Sequence, residues 1–140
     1  MLVAAGLLCA LPAARAQTPW PTIPALETLL RSRTLQAGRV NIQIPKLADN
    51  GNSVPLLVTV DSPMSAQDRV AALHVFSERN PRPRIASIAL GPDAGRAQIA
   101  TRIRLAGTQR IVAVAEMADG SLWGAAEEVI VTQSACVDEP

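Results

Sequence analysis

Hydrophobic and polar residues alternate along much of the chain after residue 39, and a period of two is typical of half-buried β-strands. Residues 40–44 place valine or isoleucine at every second position, and residues 54–60 repeat this pattern. Turn-forming sequences such as Asn50-Gly51-Asn52 and Asp119-Gly120 separate the apolar segments about every 8 to 12 residues. The pattern predicts about seven strands, over residues 40–44, 54–60, 73–78, 84–90, 98–105, 109–117 and 121–132.

Seven short strands separated by turns predict an all-β fold, namely an immunoglobulin-like antiparallel β-sandwich. Residues 25–33 carry leucines at helical spacing, which predicts one short amphipathic helix before the strands. Residues 80–83 contain two prolines, which lack the N–H group needed in a central strand, so a loop is expected there. Ser65, followed three residues later by Asp68, predicts one capped helical turn.

The first residues have the features of an export signal. An apolar run at residues 2–11 is too short to span a bilayer, and Ala14-Arg15-Ala16 places small residues at the positions that signal peptidases require before Gln17. No lysine or arginine precedes the apolar run, although export signals usually carry one there. We predict a signal peptide and a periplasmic protein; the alternative is a buried amphipathic helix.

The 140 residues amount to a single domain with short additions. We divide the chain into four parts. These are a signal peptide over residues 1–16, a leader with the short helix over 17–38, the sandwich over 39–132, and a mobile C-terminal arm over 133–140.

The composition excludes several classes of function. Thirteen basic residues face twelve acidic ones, so the chain lacks the basic excess of a general nucleic-acid-binding protein. One histidine and two cysteines are too few for a zinc or haem site within one chain. No phosphate-binding loop, nucleophile elbow or dinucleotide motif is present. We therefore expect no catalytic residues, no metal and no cofactor.

The individual titratable residues favour structural roles. His74 lies between apolar residues in a predicted strand and is interpreted as a strand-surface histidine. Glu127 and Glu128 are adjacent in a strand, so their side chains point to opposite faces and cannot form an acid/base pair. Glu116 and Asp119 are interpreted as ordinary strand and turn residues.

Two surface features have more than one interpretation. Arg79, Arg82 and Arg84 surround a proline-containing loop and would either bind an anion or a partner's carboxylates, or simply face solvent. The apolar residues 111–114 would form either a partner interface or a central strand of the sandwich.

Cys136 is the most informative residue. Removal of the signal peptide would remove Cys9 and leave Cys136 as the single thiol, on a tail after the last predicted strand. An unpaired thiol in an oxidising compartment is expected to be reactive, linked to another chain or covalently loaded. Its position fits a carrier thiol that enters another protein's active site, and equally an adventitious cysteine or one that only makes an intermolecular disulfide.

Several strings between about Glu27 and Thr132, taken together and in order, resemble the SoxY family of thiosulfate-oxidation carrier proteins. The strings are Ile44-Pro45, Ala48-Asp49-Asn50-Gly51-Asn52-Ser53-Val54-Pro55, Val60-Asp61-Ser62-Pro63-Met64, His74-Val75-Phe76-Ser77-Glu78-Arg79-Asn80-Pro81-Arg82-Pro83, Thr101-Arg102-Ile103-Arg104-Leu105-Ala106 and Val112-Ala113-Val114-Ala115-Glu116-Met117-Ala118-Asp119-Gly120.

The resemblance implies an immunoglobulin-like, periplasmic protein that pairs with a second small β-protein, SoxZ. It implies no chemistry by the carrier itself, because a cysteine on the C-terminal arm is the covalent attachment point for sulfur intermediates. A haem-containing partner joins thiosulfate to the thiol, a hydrolase removes sulfate, and a dehydrogenase oxidises the remaining sulfane sulfur. The matching cysteine in this sequence is Cys136.

The sequence departs from the family pattern in two places. The family arm usually ends in Gly-Gly-Cys-Gly-Gly, whereas this arm reads Ser134-Ala135-Cys136-Val137-Asp138-Glu139-Pro140. Negative charge at Asp138, Glu139 and the terminal carboxylate should raise the pKa of the thiol and disfavour an anionic adduct. The twin-arginine export signal common in the family is also absent from this sequence.

These observations predict a periplasmic sulfur carrier that is not itself an enzyme, with Cys136 as the covalent anchor and a SoxZ-like subunit as partner. One alternative is a divergent paralogue that carries another sulfur species. The other is a non-carrying interaction module that uses Cys136 only to link chains.

Overall fold

A computed structural model of the chain describes residues 20–135. The predicted signal peptide, the first three residues of the leader (17–19) and the arm from Cys136 onward lie outside the described residues.

One helix and nine strands make up the described part of the chain. The helix α1 spans Pro24–Leu30 and begins with a proline, whose missing N–H costs nothing in a first helical turn. The strands are β1 (Leu35–Ala37), β2 (Val40–Gln43), β3 (Leu47–Ala48), β4 (Val54–Val60), β5 (Val70–Ser77), β6 (Arg84–Ala89), β7 (Gln98–Ile103), β8 (Gln109–Met117) and β9 (Leu122–Val131).

The strands form two sheets that face each other. The large sheet has the order β1-β9-β8-β5-β6, with β3 paired to the far part of β9, and the small sheet has the order β2-β4-β7. The two sheets enclose a core whose buried side chains are non-aromatic and include Val58, Leu73, Val75, Ile111 and Val129, while Trp123 packs against it from a partly buried position. The predicted all-β sandwich with a short N-terminal helix is confirmed.

A second core covers the outer face of the large sheet. Leu26 of α1 is 2% exposed and, with Ile23, packs over Phe76 and the outward side chains of β8, Val112 and Val114. Strand β8 is therefore buried on both faces, since Ile111 and Ala113 point into the core between the sheets. Residues 111–114 accordingly form a central strand, and the alternative interpretation as an exposed interface is wrong.

The structure contains two short strands that the hydrophobic pattern does not predict. Both run parallel to β9: Leu35 pairs with Leu122 in β1, and Leu47 pairs with Ile130 in β3. The sandwich is thus antiparallel except at this edge, where two short segments from early in the chain lie beside the last strand.

The predicted helical turn at Ser65 is wrong, although its capping interaction is present. The amide of Asp68 donates to Ser65 Oγ (3.1 Å), but residues 61–69 contain no helical turn. The Asp68 carboxylate instead accepts two hydrogen bonds from Arg39, at 2.7 and 2.9 Å, and this ion pair fastens the loop to the start of β2. The Asp68 carboxylate therefore binds the side chain of the distant Arg39 and does not cap a local helix.

Candidate functional site

The candidate site is the end of the sandwich at which β9 finishes, because the chain runs from there to Cys136. Three backbone hydrogen bonds hold the last described residues. The amide of Gly51 donates to the Gln133 carbonyl (2.7 Å), the amide of Leu105 donates to the Gly51 carbonyl (2.8 Å), and the amide of Ala135 donates to the Leu105 carbonyl (3.0 Å). We call Gly51, Leu105, Gln133 and Ala135 the arm-root clamp. Ala135 is 5% exposed, so the residue before Cys136 is fixed in the body of the protein.

Gly51 is essential to the geometry of the clamp. Asn50 Oδ1 accepts a hydrogen bond from the amide of Asn52 (2.9 Å), an Asx turn that pushes Gly51 towards the arm. A Cβ atom at position 51 would overlap the Leu105 carbonyl oxygen and lie 2.9 Å from the Ala135 amide nitrogen. Glycine is required here for the close approach of three backbone segments and not for its backbone torsion angles.

The loop between β7 and β8, residues 104–108, forms one wall of the clamp, and Asn80 holds it in place. Asn80 Nδ2 donates to the Arg104 carbonyl (2.7 Å), while Asn80 Oδ1 accepts from the Ala106 amide (3.0 Å) and from Gln109 Nε2 (2.9 Å). Gln109 is 3% exposed and its Oε1 accepts from the Arg79 amide (2.9 Å). The proline-containing loop of residues 78–83 is therefore part of the arm root.

The end of β9 has two further attachments. The amide of Val131 donates to Thr108 Oγ1 (3.0 Å), and the amide of Thr132 donates to the Ala48 carbonyl (3.1 Å). Together with the clamp, these bonds fix the course of the chain from β9 to Ala135. The first three residues of the predicted arm, 133–135, thus lie against the sandwich.

The loops around the arm root carry more positive than negative charge. Segments 44–53, 78–83 and 104–110 contain five basic residues and two acidic ones. One acidic residue, Glu78, is already paired with Arg110 (3.0 Å), whose guanidinium lowers the pKa of that carboxyl. Within residues 20–135, no carboxylate forms an ion pair with Arg79, Arg82 or Arg104.

The predicted arginine cluster is divided by the structure. Arg79 Nη1 donates to the Thr108 carbonyl (3.1 Å) and lies beside Gly107, on the arm-root side. Arg84 pairs in register with Phe76 on β5, on the outer side of the large sheet. Of Arg79 and Arg84, Arg79 alone lies next to residues 133–135 of the predicted arm.

His74 is more buried than a strand-surface histidine, with 13% of its side chain exposed. Its Nδ1 is hydrogen bonded to Ser87 Oγ, and its Nε2 lies 3.5 Å from Glu116 Oε2. Glu116 Oε1 in turn is 3.2 Å from Arg33 Nη1, just after α1. Burial lowers the pKa of His74 despite the opposing effect of Glu116, so the ring is neutral at pH 7. The cluster ties the end of the helix segment to the large sheet.

The two adjacent glutamates lie on opposite faces of β9, as predicted. Glu127 is in register with Ile111, which points inwards, and Glu128 is in register with Arg110, which points outwards. Glu127 lines an open groove of about 760 Å³ at the edge of the small sheet, beside Lys46 and Arg102. The carboxylates of Glu127 and Glu128 therefore point away from each other and do not form an acid/base pair.

A family model decides the relationship of the chain to known proteins. The model described as "Sulfur oxidation protein SoxY" matches residues 26–136. The chain belongs to the SoxY family. The match covers most of the helix, both sheets, the arm-root clamp and Cys136, and the chain is accordingly a sulfur-oxidation carrier protein.

Solved structures support the same assignment. The sulfur carrier protein SoxY from Chlorobium limicola f thiosulfatophilum is 28% identical, with a TM-score of 0.65, and the similarity covers 77% of this chain and 93% of that one. Superoxide reductases share the fold at lower identity. The enzyme from Ignicoccus hospitalis is 18% identical over 67% of this chain and 80% of that one (TM-score 0.57), and the enzyme from Nanoarchaeum equitans is 15% identical over 69% and 100% (TM-score 0.56).

A comparison with curated sequences, the placement of possible metal ligands and the length of the helix add three findings. No curated protein sequence matches the chain. Between residues 20 and 135, no three histidine, cysteine or acidic side chains converge as metal ligands, and no helix is long and apolar enough to cross a membrane.

The sequence selects Cys136 as the candidate site but does not reveal the residues that hold the chain just before it. Its local pattern indicates only a turn at Gly51 and a loop at Asn80. The sequence does hold a local signal for each residue. Gly51 lies between two asparagines, and Asn80 precedes a proline in a loop rich in arginine. Their hydrogen bonds, however, reach residues that are 24 to 82 positions away in the chain, which no local pattern reveals.

Proposed function

We propose that this protein carries thiosulfate-derived sulfur in the periplasm, bound covalently to Cys136. The observation that carries the proposal is the arm-root clamp, which buries Ala135 and fixes the point from which Cys136 follows. A carrier needs a thiol beyond a rigid body, because the body is recognised by partner enzymes while the thiol enters their active sites. Membership of the SoxY family supports the same role.

The proposed cycle needs no chemistry from the carrier except a thiolate. The thiolate sulfur of Cys136 forms a bond with the sulfane sulfur of thiosulfate, and the two electrons released pass to the haem-containing partner. Hydrolysis of the resulting thiosulfonate then releases sulfate and leaves a persulfide on Cys136. The dehydrogenase then removes six electrons from the outer sulfur of the persulfide, with three oxygen atoms taken from water, to leave a sulfonate on Cys136. A second hydrolysis breaks the sulfur–sulfur bond, releases sulfate and regenerates the thiol.

The export and partner assignments belong to the same proposal. SoxY proteins are generally periplasmic and work with SoxZ within the Sox system. We infer that residues 1–16 direct export of this chain and that a SoxZ-like subunit binds the sandwich. The loading, hydrolysing and oxidising enzymes act on the arm in turn.

Replacement of Cys136 by serine tests the proposal. Cells that carry Cys136→Ser should fail to oxidise thiosulfate, while the variant still co-purifies with its SoxZ-like partner and unfolds at the wild-type denaturant concentration. A variant that keeps thiosulfate oxidation would refute the carrier role. Loss of a covalent dimer as the single consequence would instead establish the interaction-module alternative.

A further inference from the structure

Three polar side chains form a hydrogen-bonded chain on the outer face of the large sheet. They are Ser87 of β6, His74 of β5 and Glu116 of β8. Residues 74 and 87 are cross-strand neighbours, and residue 74 is also in register with Val114, two residues before Glu116. The pairing of three adjacent strands therefore brings a hydroxyl, an imidazole and a carboxylate together.

The hydrogen bonds determine which nitrogen of His74 carries the proton. The ring is neutral at pH 7 because burial lowers its pKa, so it holds a single N–H group. The carboxylate of Glu116 is also bound to Arg33 (3.2 Å between Oε1 and Nη1), and a carboxylate in an ion pair can only accept hydrogen bonds. His74 Nε2 therefore donates to Glu116 Oε2 (3.5 Å), and the lone pair of Nδ1 accepts the hydrogen bond of the Ser87 hydroxyl.

This arrangement is that of an activated nucleophile. A serine hydroxyl attacks more readily when a neutral imidazole can take its proton, and a third group that orients the imidazole completes the set. Ser87 is exposed, and β6 is an edge strand of the large sheet, so a small molecule can reach its Oγ atom. The His74 side chain is only 13% exposed, so most of the base is shielded from water.

Two other serines have hydrogen-bond partners that do not activate them. Ser53 Oγ accepts a hydrogen bond from Arg102 Nε (2.6 Å), and a guanidinium cannot take a proton. Ser121 Oγ donates to Asp119 Oδ1 (2.6 Å), and this hydrogen bond lowers the pKa of the Asp119 carboxyl, which makes it a weak base. Ser87 differs from both because its partner is a neutral imidazole.

We propose that Ser87 is a nucleophile that accepts acyl groups from small activated carboxylic esters, with His74 as its general base. Ser87 Oγ forms a bond to the ester carbonyl carbon, its proton passes to His74 Nδ1, and the bond from that carbon to the leaving oxygen breaks. An acyl-serine remains, the proton then passes from His74 to the leaving group or to water, and nothing is oxidised or reduced. Glu116 is a positioning residue, since it orients the ring and touches no reacting atom.

The test uses the full chain with p-nitrophenyl acetate as the acyl donor and locates the acetyl group by mass after trypsin digestion. Cleavage after Arg84 and Arg96 gives the peptide 85–96, which contains no lysine, histidine or cysteine and has Ser87 as its single hydroxyl-bearing side chain. The reference is the peptide 47–69, whose hydroxyl-bearing side chains are Ser53, Thr59, Ser62 and Ser65. The peptide 85–96 should be acetylated about 100-fold faster than the reference, as expected for general-base catalysis.

Two substitutions separate the base from a control. His74→Gln removes the base and should lower the acetylation rate of Ser87 about 100-fold. Ser121→Ala removes a serine that is bonded to a carboxylate, and should leave the acetylation rate of Ser87 unchanged.

The pH–rate profile tests the positioning role of Glu116. The acetylation rate of Ser87 should fall as the pH falls through the pKa of His74, which lies below the ordinary value of about 6.5. Glu116→Gln should move this fall to lower pH, because the Glu116 charge opposes the effect of burial, while the facing charges of Arg33 and Arg84 are unchanged. A purely structural role of Glu116 would leave the profile where it is.

Three outcomes would overturn the proposal. The first is equal acetylation of the two peptides, and the second is a rate in His74→Gln equal to that of the wild type. The third is a wild-type rate that does not change as His74 becomes protonated. The first and third are measured without any substitution, so they decide the matter even if His74→Gln does not fold. None of them involves Cys136, so the carrier role is tested separately.

Discussion

Gly51 shows how a single residue determines the course of the chain towards Cys136. Its amide and carbonyl both bond to neighbouring segments, and there is no room for a side chain. We expect Gly51→Ala to destabilise the protein by about 2 kcal/mol or more, because a Cβ would force the Leu105 and Ala135 backbones apart. Denaturant unfolding measures this change directly.

Gly91 provides the matched control for this prediction. A Cβ at Gly91 would meet no atom within 4 Å, so Gly91→Ala should change the free energy of unfolding by less than about 0.5 kcal/mol. If the two substitutions changed the free energy of unfolding equally, the contact of Gly51 with the Leu105 and Ala135 backbones would not be the reason for a glycine at position 51.

His74 makes the stability of the protein depend on pH. Burial lowers the pKa of its ring in the folded state, so the unfolded chain binds the proton more tightly. Stability is therefore fully present above the unfolded pKa of about 6.5 and decreases as pH falls below it. The groups that face the ring are Ser87, Glu116, Arg33 and Arg84.

The pH effect can be isolated with a substitution that does not titrate. Between about pH 7.5 and pH 5.5, where the carboxylates remain ionised, the melting temperature of the wild type should fall more than that of His74→Gln. Identical pH dependence of the two proteins would contradict the burial of a neutral ring.

At the scale of elements, the long strands follow from the sequence and the short ones do not. Strand β8 occupies exactly the predicted residues 109–117, since its apolar run and its flanking turn are both local signals. Strands β1 and β3 have three and two residues, too few for a period of two to be visible. They exist because β9 offers a free edge, and that partner is more than 80 residues away.

The helix α1 stabilises the large sheet through one leucine. Leu26 is 2% exposed against the outer face of the sheet, so Leu26→Ala should cost about 2 to 4 kcal/mol of unfolding free energy. Leu47→Ala, in which the same atoms are removed from a side chain that is 56% exposed, should cost less than about 1 kcal/mol. If the two variants had similar stabilities, the helix would not be docked on the sheet as described.

At the scale of the whole molecule, the helix and two ion pairs lie at one end of the sandwich, and the candidate functional site lies at the other. The pairs Arg39–Asp68 and Arg33–Glu116 compensate charge at the end where α1 and the Asp119-Gly120 turn lie. The opposite end carries the arm-root clamp. The fold therefore keeps the arm-root clamp at the end from which the chain continues to Cys136.

The sequence selects Cys136 as a candidate, but it does not predict how the chain before Cys136 is held. Counting thiols selects Cys136 as the candidate, because removal of the predicted signal peptide would leave it as the single cysteine, and an unpaired thiol in an oxidising compartment is expected to be reactive. The clamp was not predictable, because Gly51, Leu105 and Ala135 meet through backbone atoms that every residue possesses. Only the three-dimensional fold brings these positions together.

The central claim is that Cys136 carries sulfur covalently, and the most direct test is the intact mass of the protein exported by cells growing on thiosulfate, measured before and after reduction. The account predicts a sulfur-containing adduct that maps to Cys136, is lost on reduction, and is absent from Cys136→Ser. A bare thiol, or a disulfide between chains with no sulfur adduct, would contradict it.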